Sequence, residues 1–184
     1  MARVELRDVV TEDQRRALLG LSRGPGQDAY LNSMEDIFLE AAEEARAMPR
    51  QWAVHEPETG RLVGFAMISD GIPEPMDDDL VGPYFLWKLL IDATQQRHGY
   101  GASTIDAIVE YLRGRPGADI LYTSCSDGPG SPRGFYLQYG FTDTGRVMGG
   151  ENVLALDLPP SRAHTRHREQ AMMPASPAWR PRHE

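Results

Sequence analysis

The chain has 184 residues, of which 41% are hydrophobic and 25% are charged, and its formal net charge is −8. This length and composition suit one domain with a real hydrophobic core. Because no apolar run approaches the roughly 20 residues of a membrane-spanning helix and no secretion signal is visible, we expect a cytoplasmic protein with no membrane partner.

The charge is unevenly distributed along the chain. Residues 159–184 are rich in proline and contain five arginines and two acids, so we expect a flexible C-terminal tail that follows a single domain over residues 1–158. The remaining residues carry 14 basic and 25 acidic side chains, a net charge of −11. Such an acidic body argues against nucleic acid as a partner and favours cationic ligands.

The first half of the chain predicts a strand, two helices and a hairpin. A short strand over residues 3–9 precedes a capping box at Thr11–Gln14, which begins the first helix. A second helix is expected from about Ser33 to Met48, where Pro49 follows. Strands over residues 51–55 and 61–68 flank a five-residue loop.

The second half begins with an acidic, proline-rich loop over residues 70–83 and a long central strand over residues 84–91. A glycine-rich loop and a helix to about Arg113 follow, then a strand over residues 120–124 and a short helix through Tyr139. Strands over residues 141–148 and 152–158 form a closing hairpin. The predicted order is β-α-α-β-β-β-α-β-α-β-β.

The glycine-rich loop, QQRHGYGAS at residues 95–103, lies between a strand and a helix. This arrangement points backbone N–H groups and the positive end of a helix dipole at one place, which suits a phosphate. A nucleotide P-loop is excluded because the only lysine, Lys88, lies in the preceding strand, and a dinucleotide fingerprint lacks its third glycine at Thr104. A plain turn at a glycine-rich helix start is the alternative.

Two segments together resemble a known family. Residues 96–101, QRHGYG, fit the pattern [RQ]xxGx[GA], and residues 135–141, FYLQYGF, fit the pattern FYxxxGF. With the order of elements over residues 3–158, they resemble the GNAT superfamily of acetyl-CoA-dependent N-acetyltransferases. The resemblance implies an α/β fold: a mixed, mostly antiparallel sheet of about seven strands with four helices, splayed between the fourth and fifth strands.

The resemblance also implies acetyl-CoA as cosubstrate and a set of residues that bind it. The loop would hold the pyrophosphate on its backbone N–H groups, and the end of the fourth strand would pair with the pantetheine amides. Side chains at the two glycines would block close approach of the phosphates. The implied cofactor-binding residues are Leu89, Leu90, Ile91, Gln96, Arg97, His98, Gly99, Tyr100, Gly101 and Ala102.

Tyr136 falls at the family's general-acid position. A phenol with a pKa near 10 keeps its proton at neutral pH and can donate it to the leaving thiolate. A packing role on an amphipathic helix is the alternative for Tyr136, and Tyr139 points elsewhere on that helix.

The chain departs from the family at two positions. The asparagine that many members carry after the fifth strand is absent, which leaves Ser126 or Ser131 as substitutes. Trp87 stands where several polyamine-acetylating members have a glutamate that acts as general base. The proton of the amine must therefore go to another group or through water to bulk solvent. The single cysteine, Cys125, excludes a multi-cysteine metal site, and we expect no metal.

The acidic loop and nearby aromatic residues suggest which kind of molecule accepts the acetyl group. A cluster of carboxylates beside the family's acceptor cleft would attract a cation, although a solvated acidic turn is the alternative. Aromatic side chains could cover an ammonium-bearing chain. The predicted substrate-binding residues are Glu74, Asp77, Asp78, Asp79, Trp87 and Glu35, with Trp52 and Tyr84 as further aromatic faces.

The central strand over residues 84–91 and the size of the chain look most similar to those of bacterial diamine or polyamine acetyltransferases. Aminoglycoside-modifying and other antibiotic-modifying members share these features. We therefore expect an N-acetyltransferase that acts on a small cationic amine. The alternatives are an acetyl-CoA-binding sensor without turnover and an acetyltransferase that acts on proteins, and a homodimer is left open.

Overall fold

The computed structural model describes residues 2–74, 76 and 79–158. The predicted tail over residues 159–184 and the acidic residues Asp77 and Asp78 lie outside the described residues. The domain boundary therefore stays a prediction. The described strands are β1 (Glu5–Asp8), β2 (Pro49–His55), β3 (Leu62–Asp70), β4 (Tyr84–Ile91), β5 (Ile120–Cys125), β6 (Thr142–Met148) and β7 (Glu151–Asp157).

The described helices are α1 (Glu12–Leu18), α2 (Met34–Glu43), α3 (Tyr100–Leu112) and α4 (Arg133–Tyr139). Thr11 and Gln14 form the predicted capping box of α1, and the side chain of Ser33 caps α2. None of the helices within the described ranges is long and apolar enough to cross a membrane.

Helix α2 ends at Glu43, five residues earlier than the sequence predicted. A 3-10 turn over Ala45–Ala47 follows, and Met48 adopts a left-handed conformation with φ of 52°. The residue before a proline is disfavoured in the α region, and Pro49 begins β2. The helix therefore has to stop before Met48 so that the chain can turn into the sheet.

The strands form one seven-stranded sheet in the order β1-β2-β3-β4-β5-β7-β6. All neighbouring strands are antiparallel except β4 and β5, which are parallel and are connected through α3. The parallel pair is short: it joins only Phe85 to Tyr122 and Leu86 to Thr123. The strands separate beyond these residues, as the predicted fold requires, so the predicted fold class is confirmed.

Helices cover both faces of the sheet. The first core cluster joins the sheet to α3 and α4, and its members include Trp52, Leu86, Ile105, Ile108, Leu112, Leu121, Tyr136 and Leu154. The second core cluster joins the other face to α1 and α2 and includes Leu18, Met34, Ile37, Ala41, Phe65, Met67 and Leu90.

Strand β4 contains a β-bulge at Trp87. On β3, Met67 pairs with Lys88 and Ile68 pairs with Leu86, so Trp87 has no partner there. An extra residue shifts the alternation of side chains between the two faces. Leu86 therefore packs in the α3 cluster before the bulge, whereas Leu90 packs in the α2 cluster after it.

Trp52 and Tyr84 do not face the cleft, so the prediction that they form its aromatic walls is wrong. Each is 3% exposed and belongs to the core under α3. The ring of Trp52 packs edge-on against Tyr111 at 5.0 Å, and the hydroxyl of Tyr84 donates to the carbonyl of Pro116 at 2.8 Å. The pairing of the strands decides which face a side chain occupies, and it turns both rings toward α3.

Asp92, directly after β4, ties that strand end to the chain that follows α1. Its carboxylate accepts hydrogen bonds from the N–H and hydroxyl of Ser22 at 2.8 and 2.9 Å, and from the N–H and hydroxyl of Thr94 at 2.9 and 2.5 Å. Burial alone would raise the pKa of Asp92, but these four hydrogen bonds outweigh it and lower the pKa to about 2.

We expect Asp92→Asn to destabilise the fold by about 1–3 kcal/mol at pH 7, because an amide offers one acceptor oxygen where the carboxylate offers two. Since the folded-state pKa is depressed, the contribution of Asp92 is complete above the unfolded pKa of about 4 and is lost as the pH falls toward 2. Urea unfolding at pH 7, 4 and 2.5 measures this. The exposed Asp157→Asn is the control, and a wild-type advantage that stays constant down to pH 2.5 would contradict the assignment.

Candidate active site

Three cavities follow one another along β4, where it separates from β5. The loop cavity, of about 690 Å³, lies at the N-terminus of α3. The central cavity, of about 80 Å³, lies between β4 and the end of β5. The outer cavity, of about 210 Å³, lies by the chain after α2. Leu89, Ile91 and Tyr136 line both the loop and central cavities, and Trp87 lines both the central and outer cavities, so the three are neighbours and together make up the cleft.

The loop cavity is built around the start of α3. Arg97 and Gly99 are both left-handed, with φ of 65° and 88°. The first helical hydrogen bond runs from the N–H of Ser103 to the carbonyl of Gly99, so the preceding N–H groups have no acceptor within the helix. Such N–H groups at the positive end of a 13-residue helix suit a phosphate. The predicted residues that line this cavity are Leu89, Ile91, Gln96, Arg97, Gly99, Tyr100, Gly101 and Ala102.

Side-chain hydrogen bonds hold the loop in place. The amide of Gln96 donates to the carbonyl of Ile91 at 3.0 Å and to the side chain of Gln27 at 2.8 Å. The hydroxyl of Tyr100 donates to Glu56, so its backbone N–H is the group available to a ligand. His98 is exposed, and its Nδ1 lies 3.2 Å from the carbonyl of Gln95. The role predicted for His98 stays a prediction.

The two glycines of the loop serve different purposes. A Cβ on Gly99 would have only the Cβ of Ala2 near it, at 3.8 Å, so the positive φ is what requires glycine there. A Cβ on Gly101 would lie 3.2 Å from the ring of Phe135. Gly101 therefore also permits α4 to pack against α3, a contact that the motif itself does not reveal.

Tyr136 is the tyrosine of α4 that reaches the cleft. It is 6% exposed and lines both the loop and central cavities. Burial raises the pKa of Tyr136 to about 12; a hydrogen bond with Thr123 opposes this, and the charges of Cys125 and Glu151 add to it. Its phenol therefore remains protonated at neutral pH. The hydroxyl of Tyr139 instead donates to Asp106 at 2.7 Å.

The central cavity contains residues that sequence reasoning missed. Glu151, the first residue of β7, lines it, and the hydroxyl of Ser124 donates to its carboxylate at 2.5 Å. Gln27 and Tyr30 line it from the other side, and the hydroxyl of Tyr30 donates to the carbonyl of Pro129 at 3.0 Å. No local motif marks these residues, since they come from segments far apart in the chain.

The two serines considered as substitutes for the family's asparagine lie next to each other. Ser131 lines the loop cavity and Ser126 lines the central cavity. The hydroxyl of Ser131 donates to the carbonyl of Ser126 at 2.6 Å and accepts the N–H of Arg133 at 3.2 Å. Ser131 is therefore the one with a side chain beside the loop cavity, although its hydroxyl proton is engaged within the chain.

The outer cavity combines aromatic surface with charge. Phe85 and Trp87 line it together with Glu44, Arg46 and Asp79. Arg46 forms ion pairs with Asp79 at 2.6 Å and with Glu44 at 3.0 Å. The hydrogen bond from Arg46 lowers the pKa of Asp79. Both carboxylates that line this cavity among the described residues are thus paired with a cation.

The other residues that were predicted to bind the acceptor amine are exposed. Glu74 accepts the N–H of Met76 at 3.3 Å, and Glu35 lies in the first turn of α2. Among the described residues, those that line the three cavities do not include either of them. Their roles, and those of Asp77 and Asp78, stay predictions. In the described ranges, no group of three or more His, Cys, Asp or Glu side chains is placed to hold a metal ion.

Comparison with known families identifies the class. The family model described as "Acetyltransferase (GNAT) family" matches residues 12–141, more than half of the chain. The chain belongs to this family. The predicted family and the predicted enzyme class, an acetyl-CoA-dependent N-acetyltransferase, are therefore confirmed.

Individual proteins are similar over most of their length. The spermine/spermidine N(1)-acetyltransferase of Bacillus subtilis is 29% identical over 150 residues, which cover 81% of this chain and 95% of that protein. The crystal structure of the aminoglycoside acetyltransferase AAC(6')-Ib with coenzyme A has a TM-score of 0.65 at 19% identity and covers 90% of this chain and 99% of its own. Spermidine N-acetyltransferase from Vibrio cholerae, with CoA and spermine, has a TM-score of 0.55 at 13% identity and covers 83% and 93%. The two structures show the same fold.

We expect Gly99→Ala to weaken acetyl-CoA binding about tenfold, because alanine at a positive φ is strained by roughly 1–2 kcal/mol and relaxation would turn the N–H groups of the loop. Gly60→Ala is the matched control: its φ of 70° lies in a surface turn with nothing near the added Cβ. Both variants should lose similar stability in thermal unfolding. Calorimetry that finds equal acetyl-CoA affinity in the two would remove the loop from the binding site.

Proposed function

We propose that this enzyme transfers the acetyl group of acetyl-CoA to a primary amine of a small cationic acceptor of the polyamine type. One observation carries the proposal: a buried, protonated Tyr136 lies where the loop cavity at the N-terminus of α3 meets the central cavity, and Trp87 borders both the central cavity and an outer cavity lined by carboxylates. The cleft thus has an anion-binding end, a proton donor and an end that attracts cations.

The loop cavity suits the coenzyme. The N–H groups of Tyr100, Gly101 and Ala102 would bind the pyrophosphate, and the side chain of Arg97 lines the same cavity. Residues 87–91 of β4 lie beyond the pairing with β5, so this edge can pair with the pantetheine amides as an added strand would. Bound there, acetyl-CoA supplies an acetyl group activated as a thioester.

Tyr136 would protonate the sulfur as it leaves. A thiol has an ordinary pKa near 8.5, so the leaving group carries negative charge at neutral pH until a proton reaches it. Because the pKa of Tyr136 is raised to about 12, its hydroxyl keeps the proton until charge develops on the sulfur.

The acceptor would enter through the outer cavity. Glu44 and Asp79 line this cavity, and Trp87 offers an aromatic face next to the central cavity. Ammonium groups of a polyamine would share these carboxylates with Arg46. The names of the relatives from Bacillus subtilis and Vibrio cholerae, which act on spermine or spermidine, support this class of acceptor.

We expect Tyr136→Phe to lower kcat by roughly 100-fold to 10,000-fold while acetyl-CoA affinity is unchanged, because the variant loses only the donated proton. Tyr139→Phe, on the same helix, is the control, since its hydroxyl bonds to Asp106. Thiol release with spermidine measures turnover. If both variants keep full turnover, water rather than Tyr136 supplies the proton.

We expect neutralising Glu74, Asp77, Asp78 and Asp79 together to raise KM for spermidine, while KM for acetyl-CoA is nearly unchanged. Asp79→Asn alone should raise KM for spermidine about two- to fivefold. The variant lacks one of the carboxylates that balance the positive charge of Arg46, and an exposed ion pair is worth up to about 1 kcal/mol.

The effect of these substitutions should fade with salt, since exposed charges are screened beyond roughly 10 Å at 0.1 M ionic strength. An uncharged amine should be indifferent to them. Thiol release across a panel of polyamines, aminoglycosides and uncharged amines measures both. Unchanged kinetics of the quadruple variant with spermidine at low salt would show that the loop is only a solvated turn.

A further inference from the structure

Strand β4 offers no carboxylate that could remove a proton from the amine that accepts the acetyl group. An alkylamine has a pKa near 10.4 and is mostly protonated at pH 7, so it must lose a proton before its lone pair can attack. Trp87 occupies the bulge of β4 at the centre of the cleft, where it offers aromatic surface and no base. The proton acceptor therefore has to come from another element of the fold.

Glu151 reaches the central cavity from the opposite side. It begins β7 and pairs with Met148 at the end of the β6–β7 hairpin, while its neighbour Asn152 pairs with Cys125 at the end of β5. This pairing puts Glu151 beside the point where β5 has left β4. It is half-buried and lines the same cavity as Trp87 and Tyr136.

The carboxylate of Glu151 is oriented but not neutralised. The hydroxyl of Ser124 donates to one oxygen, and among the described residues Glu151 forms no ion pair. Arg133, a cation on this side of the sheet, is paired with Asp127 and Asp143. A half-buried carboxylate without a cation attracts an ammonium group strongly, because the screening by water is reduced.

Tyr30, Cys125 and Tyr136 are the other titratable side chains that line the central cavity among the described residues. Cys125 and Tyr136 face it from β5 and α4; burial first, and then the charge of Glu151 among other causes, raises the pKa of both. Both therefore keep their protons at neutral pH. Among the described residues, Glu151 is thus the one carboxylate that lines the central cavity, with Asp127 farther out at the surface, bonded to Asn152.

We infer that Glu151 binds the reacting ammonium of the acceptor and takes its proton. The inference rests on the proposed function and adds the proton acceptor to it. Once Glu151 holds the proton, the nitrogen lone pair forms the C–N bond with the thioester carbonyl carbon. The C–S bond breaks, and the sulfur leaves with the electron pair and takes the proton of Tyr136. The second proton released from nitrogen restores the phenol, so the net products are the amide, the thiol and one proton on Glu151.

The test compares Glu151→Gln with Glu58→Gln, a matched change at an exposed glutamate in the β2–β3 turn. Glutamine keeps an oxygen that can accept from Ser124, so the hairpin should be unaffected. We expect Glu151→Gln to lower kcat/KM for spermidine at pH 7 by about 100-fold or more. The loss should shrink as the pH rises toward 10, because the free amine then no longer needs a base.

A second substrate separates proton removal from structure. Trifluoroethylamine is largely uncharged at pH 7, so Glu151→Gln should change its acetylation by less than threefold. Calorimetry should find acetyl-CoA affinity unchanged in both variants. The Glu58→Gln variant should match the wild type with both amines.

Several outcomes would overturn the inference. If Glu151→Gln acetylates spermidine as fast as the wild type, Glu151 does not take the proton. If the variant loses activity equally with both amines, or loses acetyl-CoA binding, Glu151 has a structural role instead. If the wild type binds acetyl-CoA but acetylates no amine, the proposed function itself fails and the inference fails with it. Normal wild-type turnover with an unaffected Glu151→Gln variant removes only the role of Glu151.

Discussion

The pairing of β4 with β5 ends after two residue pairs, and the functional part of the molecule depends on that ending. A longer parallel ladder would satisfy the backbone of residues 87–91 and fill the space that the loop and central cavities occupy. Because the strands part, one edge of β4 keeps groups that can pair with a ligand. The bulge at Trp87 coincides with the point of separation and turns its side chain toward the cleft.

Polar contacts between distant segments hold the sides of this cleft. Asp92 links the end of β4 to the chain after α1, and Gln96 links the glycine loop to Gln27. Tyr30 reaches across to the carbonyl of Pro129, in the segment between β5 and α4. These hydrogen bonds connect segments where β4 and β5 no longer pair. They therefore help to fix the position of the loop N–H groups relative to Tyr136.

The cleft also has an electrostatic order along its length. Its inner end presents N–H groups at the start of α3, its middle contains the phenol of Tyr136 and the carboxylate of Glu151, and its outer end contains carboxylates paired with Arg46. Such an order suits one anionic and one cationic ligand that meet in the middle. Glu151 lies in that middle part, and Arg46 limits the negative charge of the outer part.

The sequence by itself determined the order of the elements, the capping box of α1 and the glycine loop, because these follow from local periodicity and backbone preferences. The two motifs also identified the family, and the resemblance led to the prediction that Tyr136 rather than Tyr139 is the proton donor. Only the tertiary structure decided which side chains face the cleft: it turned Trp52 and Tyr84 into the core and brought Glu151 to the centre. Strand register, a bulge and pairings between residues far apart in the chain control these outcomes, and no local pattern encodes them.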